Sequence, residues 1–155
     1  MRRRGRRGFP RLASVISRTV IPAKEMQQAL QHAIYAYQSG NWPESERLCR
    51  LLLASSPGHF DMLHLLGIIT AQTRRSDEAA DLLLRAVSVN PDNAEVQNSR
   101  GNVLRDLGRF DEALQCYERA LQLNRKYVEV HNNRGTVLQR LHRIEEALES
   151  YDRAL

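Results

Sequence analysis

The sequence predicts an all-α fold of about four stacked, antiparallel helix hairpins. The first observation behind this prediction is an internal repeat. Gly101 to Leu121 reads GNVLRDLGRFDEALQCYERAL, and Gly135 to Leu155 reads GTVLQRLHRIEEALESYDRAL, with 12 of 21 positions identical. The two stretches start 34 residues apart. A period between about 20 and 50 residues is typical of repeat architectures, in which each unit is one supersecondary element.

The second observation is that small and aromatic residues keep this period over most of the chain. Two helix axes approach to about 8 Å only where the side chains between them are short. The recurring small residues therefore predict the points at which helices touch. The residues in register are Gly67, Gly101 and Gly135; Ala79, Ala113 and Ala147; Ala86, Ala120 and Ala154; Tyr117 and Tyr151; and Pro57 and Pro91.

Each period contains two amphipathic helices. In residues 94–108, apolar side chains recur at helical spacing from Val96 to Leu107, and Gly108 can adopt the left-handed conformation that ends a helix. In residues 110–121, a second apolar stripe follows two acidic residues, Asp111 and Glu112, which favour the positive end of a helix. The second helix therefore runs antiparallel to the first.

These residues resemble the tetratricopeptide repeat, which has Gly in its first helix, Ala, an aromatic residue and Ala in its second, and Pro at its end. The resemblance covers about residues 26–155, as repeats 26–59, 60–93, 94–127 and 128–155, the last one cut short. Some positions depart from the pattern. Leu83 replaces the aromatic residue, and Ala33, Ser45 and Leu52 replace the small residues of the first repeat. Arg74 and His142 stand where Gly40 and Gly108 stand, which predicts tighter or strained turns at those two positions.

The resemblance implies a right-handed superhelix whose first helices line a concave face that binds an extended peptide or a partner's helix. Amide side chains both donate and accept hydrogen bonds, so a file of them can hold a peptide backbone. We therefore expect a non-catalytic protein-binding scaffold. The candidate groove residues are Tyr37, His64, Asn98, Asn102, Arg105, Asn132, Asn133, Thr136, Gln139 and Arg140, with Leu30, Ile34, Ile68 and Gln72 beside them.

A second interpretation is open. The stretches LHLLGIITAQTRRSDEAADLLLRAV, HNNRG and ESYDRAL are similar to the amino-terminal repeats of bacterial O-linked N-acetylglucosamine transferases of the SPINDLY type. Asn133 matches an asparagine that forms a ladder in such repeats, whereas Ser99 and Leu65 interrupt it. This resemblance implies the substrate-recognition arm of a longer glycosyltransferase, with its catalytic half beyond Leu155.

Residues 1–24 predict a flexible basic leader, because they carry seven Arg and one Lys and no acidic residue. Without them the net charge changes from +5 to about −3. A solvated tail, a start codon placed too early and a targeting signal all fit this composition. Such a leader can bind nucleic acid weakly through counterion release, but the remaining residues do not favour a nucleic-acid partner.

Other classes of site and location are disfavoured. Cys49 and Cys116 lie in different repeats without metal-type spacing, which predicts free thiols and a cytoplasmic protein. We expect no metal, no cofactor and no catalytic residue, since no phosphate-binding loop, zinc motif or nucleophile motif occurs. No apolar run of about 18 residues is present to span a membrane.

The last repeat predicts an exposed apolar end. Its second helix stops at Leu155, and no following helix fully covers the stripe formed by Val137, Leu138, Leu141, Leu148 and Tyr151. Repeat arrays usually carry a polar capping element at each end. The sequence therefore predicts a fragment of a longer chain or self-association through this end.

Overall fold

The structure is a computed structural model that describes residues 22–155. This part of the chain folds into eight α-helices without any strand. The helices are α1 (Ala23–Gln38), α2 (Trp42–Ser55), α3 (Phe60–Gln72), α4 (Ser76–Val89), α5 (Ala94–Asp106), α6 (Phe110–Leu123), α7 (Val128–Arg140) and α8 (Ile144–Asp152).

The predicted helix boundaries are confirmed in the best-matching repeat, where α5 and α6 occupy the two expected segments. The first helix begins at Ala23, so the last two residues of the predicted leader, 23 and 24, are helical. Residues 1–21 of the predicted basic leader lie outside the described residues. Among the helices that are described, none has both the length and the apolar character needed to cross a membrane.

The helices pair into four hairpins, and consecutive hairpins stack into the predicted solenoid. In each hairpin the two helices pack together, and α3, α5 and α7 also pack against the second helix of the preceding hairpin. The odd-numbered helices also approach one another, whereas within residues 22–155 the even-numbered helices do not. This difference curves the array, so that α1, α3, α5 and α7 form the concave layer.

A glycine sets the closest approach within three of the hairpins. A β-carbon added at Gly101 would lie 2.5 Å from Cε1 of Tyr117. A β-carbon at Gly135 would lie 2.6 Å from Cε1 of Tyr151, and one at Gly67 would lie 2.8 Å from Cγ of Leu83. The glycine and the large residue on the facing helix therefore form a complementary pair. The predicted small-residue contacts are confirmed at all three positions.

Ser45 replaces an alanine in the first repeat without disturbing the packing. Its side chain is fully buried and its Oγ donates a hydrogen bond of 2.7 Å to the carbonyl oxygen of Ala33. A buried hydroxyl is costly only when it lacks a partner. The divergent first repeat therefore keeps the hairpin geometry of the other three.

The turn inside each hairpin has the same hydrogen-bond pattern. After α5, the Gly108 amide donates to the Arg105 carbonyl oxygen at 2.9 Å and the Arg109 amide donates to the Leu104 carbonyl oxygen at 2.8 Å. This motif requires a left-handed residue at the position of Gly108, which has φ +75°. Arg74 and His142 adopt the same conformation, with φ 61° and 58°. Both turns are strained, as the sequence predicts.

Ion pairs mark the start of the second helices. Arg109 contacts Glu112 and Arg143 contacts Glu146, each through two hydrogen bonds of 2.7 Å. The equivalent Arg75 contacts Glu78 at 3.4 Å and also reaches across the repeat boundary to Glu46, at 2.6 and 2.7 Å, where it holds the pKa of the Glu46 carboxyl at about 2. The acidic residues at these helix starts are therefore structural, as predicted.

The apolar stripe of the last hairpin is covered in part. Val137 and Leu138 are fully buried, because α8 and the preceding α6 cover them. Leu148 and Ile144 of α8 remain exposed, at 58% and 51%.

We predict that Gly101→Ala destabilises the protein. The new β-carbon would overlap the fully buried ring of Tyr117. Overpacking costs about 1 to 3 kcal/mol, which exceeds the gain of about 1 kcal/mol from replacing a helical glycine with alanine. Urea denaturation measures the difference. Gly58→Ala is the control, because nothing lies within 4 Å of the added carbon there. Equal stability of the two variants would contradict the packing model.

We also predict that His142→Gly stabilises the protein by about 0.5 to 1 kcal/mol. Replacing His142 with glycine removes the strain of a left-handed residue, which is about 1 to 2 kcal/mol. Part of this stabilisation is lost, because glycine has more conformational entropy in the unfolded chain. Gly108→Ala at the equivalent turn is the reciprocal variant and should lower the unfolding free energy by about 1 kcal/mol. Urea midpoints that shift in the same direction for both variants would refute the role of the turn conformation.

Candidate groove on the concave face

A cavity of about 340 Å³ lies on the concave face between α3 and α5 and reaches the start of α7. Three of the predicted groove residues, His64, Asn98 and Asn102, line it. Ile68 and Gln72 of α3 also line it, as expected from their places in the helix. The cavity walls are completed by Ala71, Leu83, Glu95, Ser99, Val103, Asp106, Tyr127 and Glu129.

Asn98 links two repeats rather than facing the solvent. It is 4% exposed, its Nδ2 donates to Oε1 of Glu129 at 2.9 Å, and its Oδ1 accepts from Nδ2 of Asn133 at 3.2 Å. Arg105 extends this network by donating to Oδ1 of Asn133 at 3.4 Å. Three of the predicted groove residues therefore hold α5 against α7. Their side chains position the groove and leave little of Asn98 for a ligand.

Asn102 and His64 are also anchored by neighbours. The hydroxyl of Tyr117 donates to Oδ1 of Asn102 at 2.8 Å, which leaves the amide N–H groups of this half-buried residue for other partners. Nε2 of His64 lies 2.9 Å from Oγ of Ser99 on the next repeat. Burial lowers the pKa of His64, although Glu95 and Asp61 oppose the shift. The imidazole is therefore neutral at pH 7.

The remaining predicted residues lie outside this cavity. Tyr37 accepts a hydrogen bond of 3.0 Å from Nε2 of Gln72, which joins α1 to α3. On α7, Thr136 and Gln139 both contact the hydroxyl of Tyr151, at 3.4 and 3.3 Å. Asn132 is exposed. The guanidinium of Arg140 lies 6.0 Å from the ring centre of Phe110.

Sequence reasoning missed the acidic residues of the groove. Glu95, Asp106 and Glu129 line the cavity, and the groove is therefore both amide-rich and acidic. Asp61, Glu95 and Glu129 follow the 34-residue period at the starts of α3, α5 and α7. This register was a signal in the sequence. An acidic residue in the first turn of a helix is already explained by its favourable interaction with the helix dipole. The sequence pattern therefore did not single out these residues as part of the cavity lining.

The arrangement offers three kinds of contact to a ligand. Carboxylates accept hydrogen bonds, the amide of Asn102 donates them, and Ile68 supplies a half-buried apolar wall. All three lie on rigid helices rather than on loops. Since residues of adjacent repeats face the same cavity, a ligand that spans it contacts more than one repeat.

Models of known families match most of the folded region. Models described as tetratricopeptide repeat match residues 30–95 and 82–115, and one described as TPR repeat matches residues 101–142. A solved structure of MamA AMB-1 is 30% identical and superposes with a TM-score of 0.74. The match covers 83% of this chain and 76% of the MamA chain. The chain belongs to the tetratricopeptide repeat family.

Two further relatives carry such repeats in longer proteins. A mutant O-GlcNAc transferase from Thermobaculum terrenum is 33% identical with a TM-score of 0.69, over 73% of this chain and 22% of that one. The UDP-N-acetylglucosamine--peptide N-acetylglucosaminyltransferase of Caenorhabditis elegans is 30% identical over 80 residues, or 52% of this chain. This chain spans only 7% of that relative's length. The similarity to transferases is therefore confined to the tetratricopeptide repeats.

Proposed function

We propose that this tetratricopeptide repeat chain is a non-catalytic scaffold that binds an extended peptide or a partner helix in its concave groove. The observation that carries the proposal is the cavity between α3 and α5, where polar side chains of successive repeats converge. As part of the same proposal we assign it to the cytoplasm, where thiols such as the buried Cys49 and Cys116 stay reduced.

The groove suits a peptide better than a compact small molecule. A peptide backbone presents alternating N–H and C=O groups, and the groove presents carboxylates and a free amide edge at neighbouring positions. The network of Asn98, Asn133 and Glu129 keeps the concave helices in place before a ligand arrives. Such preorganisation lowers the entropic cost of binding.

We predict that Gln72→Ala with Glu95→Ala weakens peptide binding at least about tenfold, because each lost hydrogen bond to an ionised or amide group is worth about 1 to 3 kcal/mol. Both residues are exposed and line the cavity, so the fold should tolerate their loss. Asn98 is unsuitable for this test, since its removal would break the contact between α5 and α7.

The ligands for this test are peptides selected from a random library on the full chain, with affinities measured by fluorescence polarisation. Gln115→Ala with Glu145→Ala is the control, because it removes the same residue types from exposed positions on α6 and α8. Equal affinity of the groove variant and the control, or failure of the library to enrich any peptide, would refute the groove.

A second candidate function is favoured by the similarity to the transferases from Thermobaculum terrenum and Caenorhabditis elegans. In this alternative, the groove is the substrate-recognition arm of a longer protein glycosyltransferase. The groove would bind the same class of ligand, and the chemistry would belong to another domain. The two candidates therefore differ in what the gene encodes next to these repeats.

Sequencing the gene downstream of the Leu155 codon distinguishes these candidates. The transferase arm predicts an open frame that continues into further repeats and an α/β catalytic domain. The scaffold predicts a stop codon, or an open frame that encodes no catalytic domain. A stop codon directly after Leu155 would exclude the transferase arm for this gene product.

A further inference from the structure

A second cavity, of about 670 Å³, lies among α6, α7 and α8, apart from the cavity of the concave groove. Its charged lining is unequal, with three arginines and a single carboxylate, Glu118. The arginines are Arg125 between α6 and α7, Arg134 on α7 and Arg153 at the end of α8. The groove function uses none of these residues.

The 34-residue register shows which residues at this cavity differ from those one repeat earlier. One repeat earlier, the equivalent of Arg153 is Arg119, which donates to Oδ1 of Asp92 across the repeat boundary at 2.6 Å. The equivalent of Asp92 one repeat later is Lys126, at the end of the third repeat. Arg153 therefore has no carboxylate at that position, and it pairs with Glu149 one turn earlier on its own helix instead.

A second change in the same register adds another cation. Arg125 takes the position of Pro91, and Glu118 takes the position of Leu84. His131 takes the position of Gln97, whose side chain donates a hydrogen bond to the carbonyl oxygen of Pro91, six residues earlier. His131 makes the equivalent bond to the carbonyl oxygen of Arg125. Nε2 of His131 donates to the Arg125 carbonyl oxygen at 3.0 Å, which fixes the backbone of Arg125 at the cavity wall.

The three guanidinium groups differ in how firmly they are held. Arg134 is anchored by a hydrogen bond to Oγ of Ser150 and lies 3.9 Å from Glu118 and 4.0 Å from Glu146. Arg153 has a side chain that is 62% exposed, with Glu149 as its only ionic partner within residues 22–155. Arg125 forms no ion pair with any residue in that range. One guanidinium is therefore held on several sides, one has a single exposed ion pair, and one has no ionic partner within residues 22–155.

We propose that this cavity binds a phosphomonoester dianion, either free or carried on a peptide side chain. Guanidinium groups match the tetrahedral oxygens of phosphate with paired hydrogen bonds, and each such charge-assisted bond is stronger than a neutral one. The lining itself holds three guanidinium groups and one carboxylate, and beside the cavity Glu146 lies near Arg134 and Glu149 pairs with Arg153. Arg125 is therefore the cation that the dianion newly pairs. The cavity volume also lies within the range of about 300 to 1,000 Å³ that is usual for ligand sites.

The test is a titration of the full chain with inorganic phosphate at constant ionic strength, followed by ¹⁵N NMR. A short phosphoserine peptide and its unphosphorylated form are titrated in parallel. We expect saturable shifts at Arg125, His131 and Arg153, and at least about tenfold weaker phosphate binding for Arg125→Gln and Arg153→Gln. Lys126→Asp should weaken binding as well, because it would offer Arg153 the carboxylate that Asp92 offers Arg119.

Arg119→Gln is the matched control, since it removes the same charge from the equivalent position one repeat earlier. Phosphate bound as tightly as the phosphopeptide would identify a free anion as the ligand, and tighter binding of the phosphopeptide would identify a modified side chain. Absence of saturable shifts with every phosphate probe would overturn the proposal. So would equal loss of affinity in Arg119→Gln and Arg153→Gln. None of these outcomes depends on the concave groove.

Discussion

The contact between a glycine and a large side chain on the facing helix is the constraint on which the rest of this structure depends. At Gly101 the distance to the Tyr117 ring leaves no space for a β-carbon, and Gly67 and Gly135 repeat this geometry. The close approach sets how far apart the two helices of a hairpin lie. The next hairpin packs against both, so the same contact determines the curvature of the array and the width of the concave groove.

Several polar side chains of the groove hydrogen bond to other residues of the protein, within and between repeats. Asn98, Glu129 and Asn133 hydrogen bond across a repeat boundary, and Asn102 accepts from the buried Tyr117. A buried polar group without a partner costs about 1 to 3 kcal/mol, so these bonds are required by the packing itself. The more exposed carboxylates and amides along the edges keep free hydrogen-bonding groups. Buried, bonded side chains and exposed ones therefore alternate along the same helices.

Charge is divided along the outer surface in a similar way. Two arginines pair with carboxylates across a repeat boundary, Arg119 with Asp92 and Arg75 with Glu46. At the last boundary Lys126 stands at the position of Asp92, and three arginines line one cavity. A repeat protein can acquire a local site in this way without altering its fold, because the surface positions tolerate changes that the glycine contacts do not.

The sequence by itself determined the period, the helix boundaries, the glycine contacts and the strained turns at Arg74 and His142. These features are local or strictly periodic. They can therefore be read from two sequence patterns, the 34-residue repeat and the helical period of 3.6 residues. The sequence also named His64, Asn98 and Asn102 as concave residues. The acidic lining at Glu95 and Glu129 was visible in the register but had a competing explanation in the helix dipole.

Only the tertiary structure decided which of these polar residues are free and which are bonded. Asn98 meets Glu129 at a separation of 31 residues and Asn133 at a separation of 35, so neither contact coincides with the 34-residue repeat. The offset arises from the rotation of one repeat against the next and from the side-chain rotamers, which a sequence period does not contain. The covered positions of Val137 and Leu138 and the convergence of three arginines on one cavity depend on the same rotation.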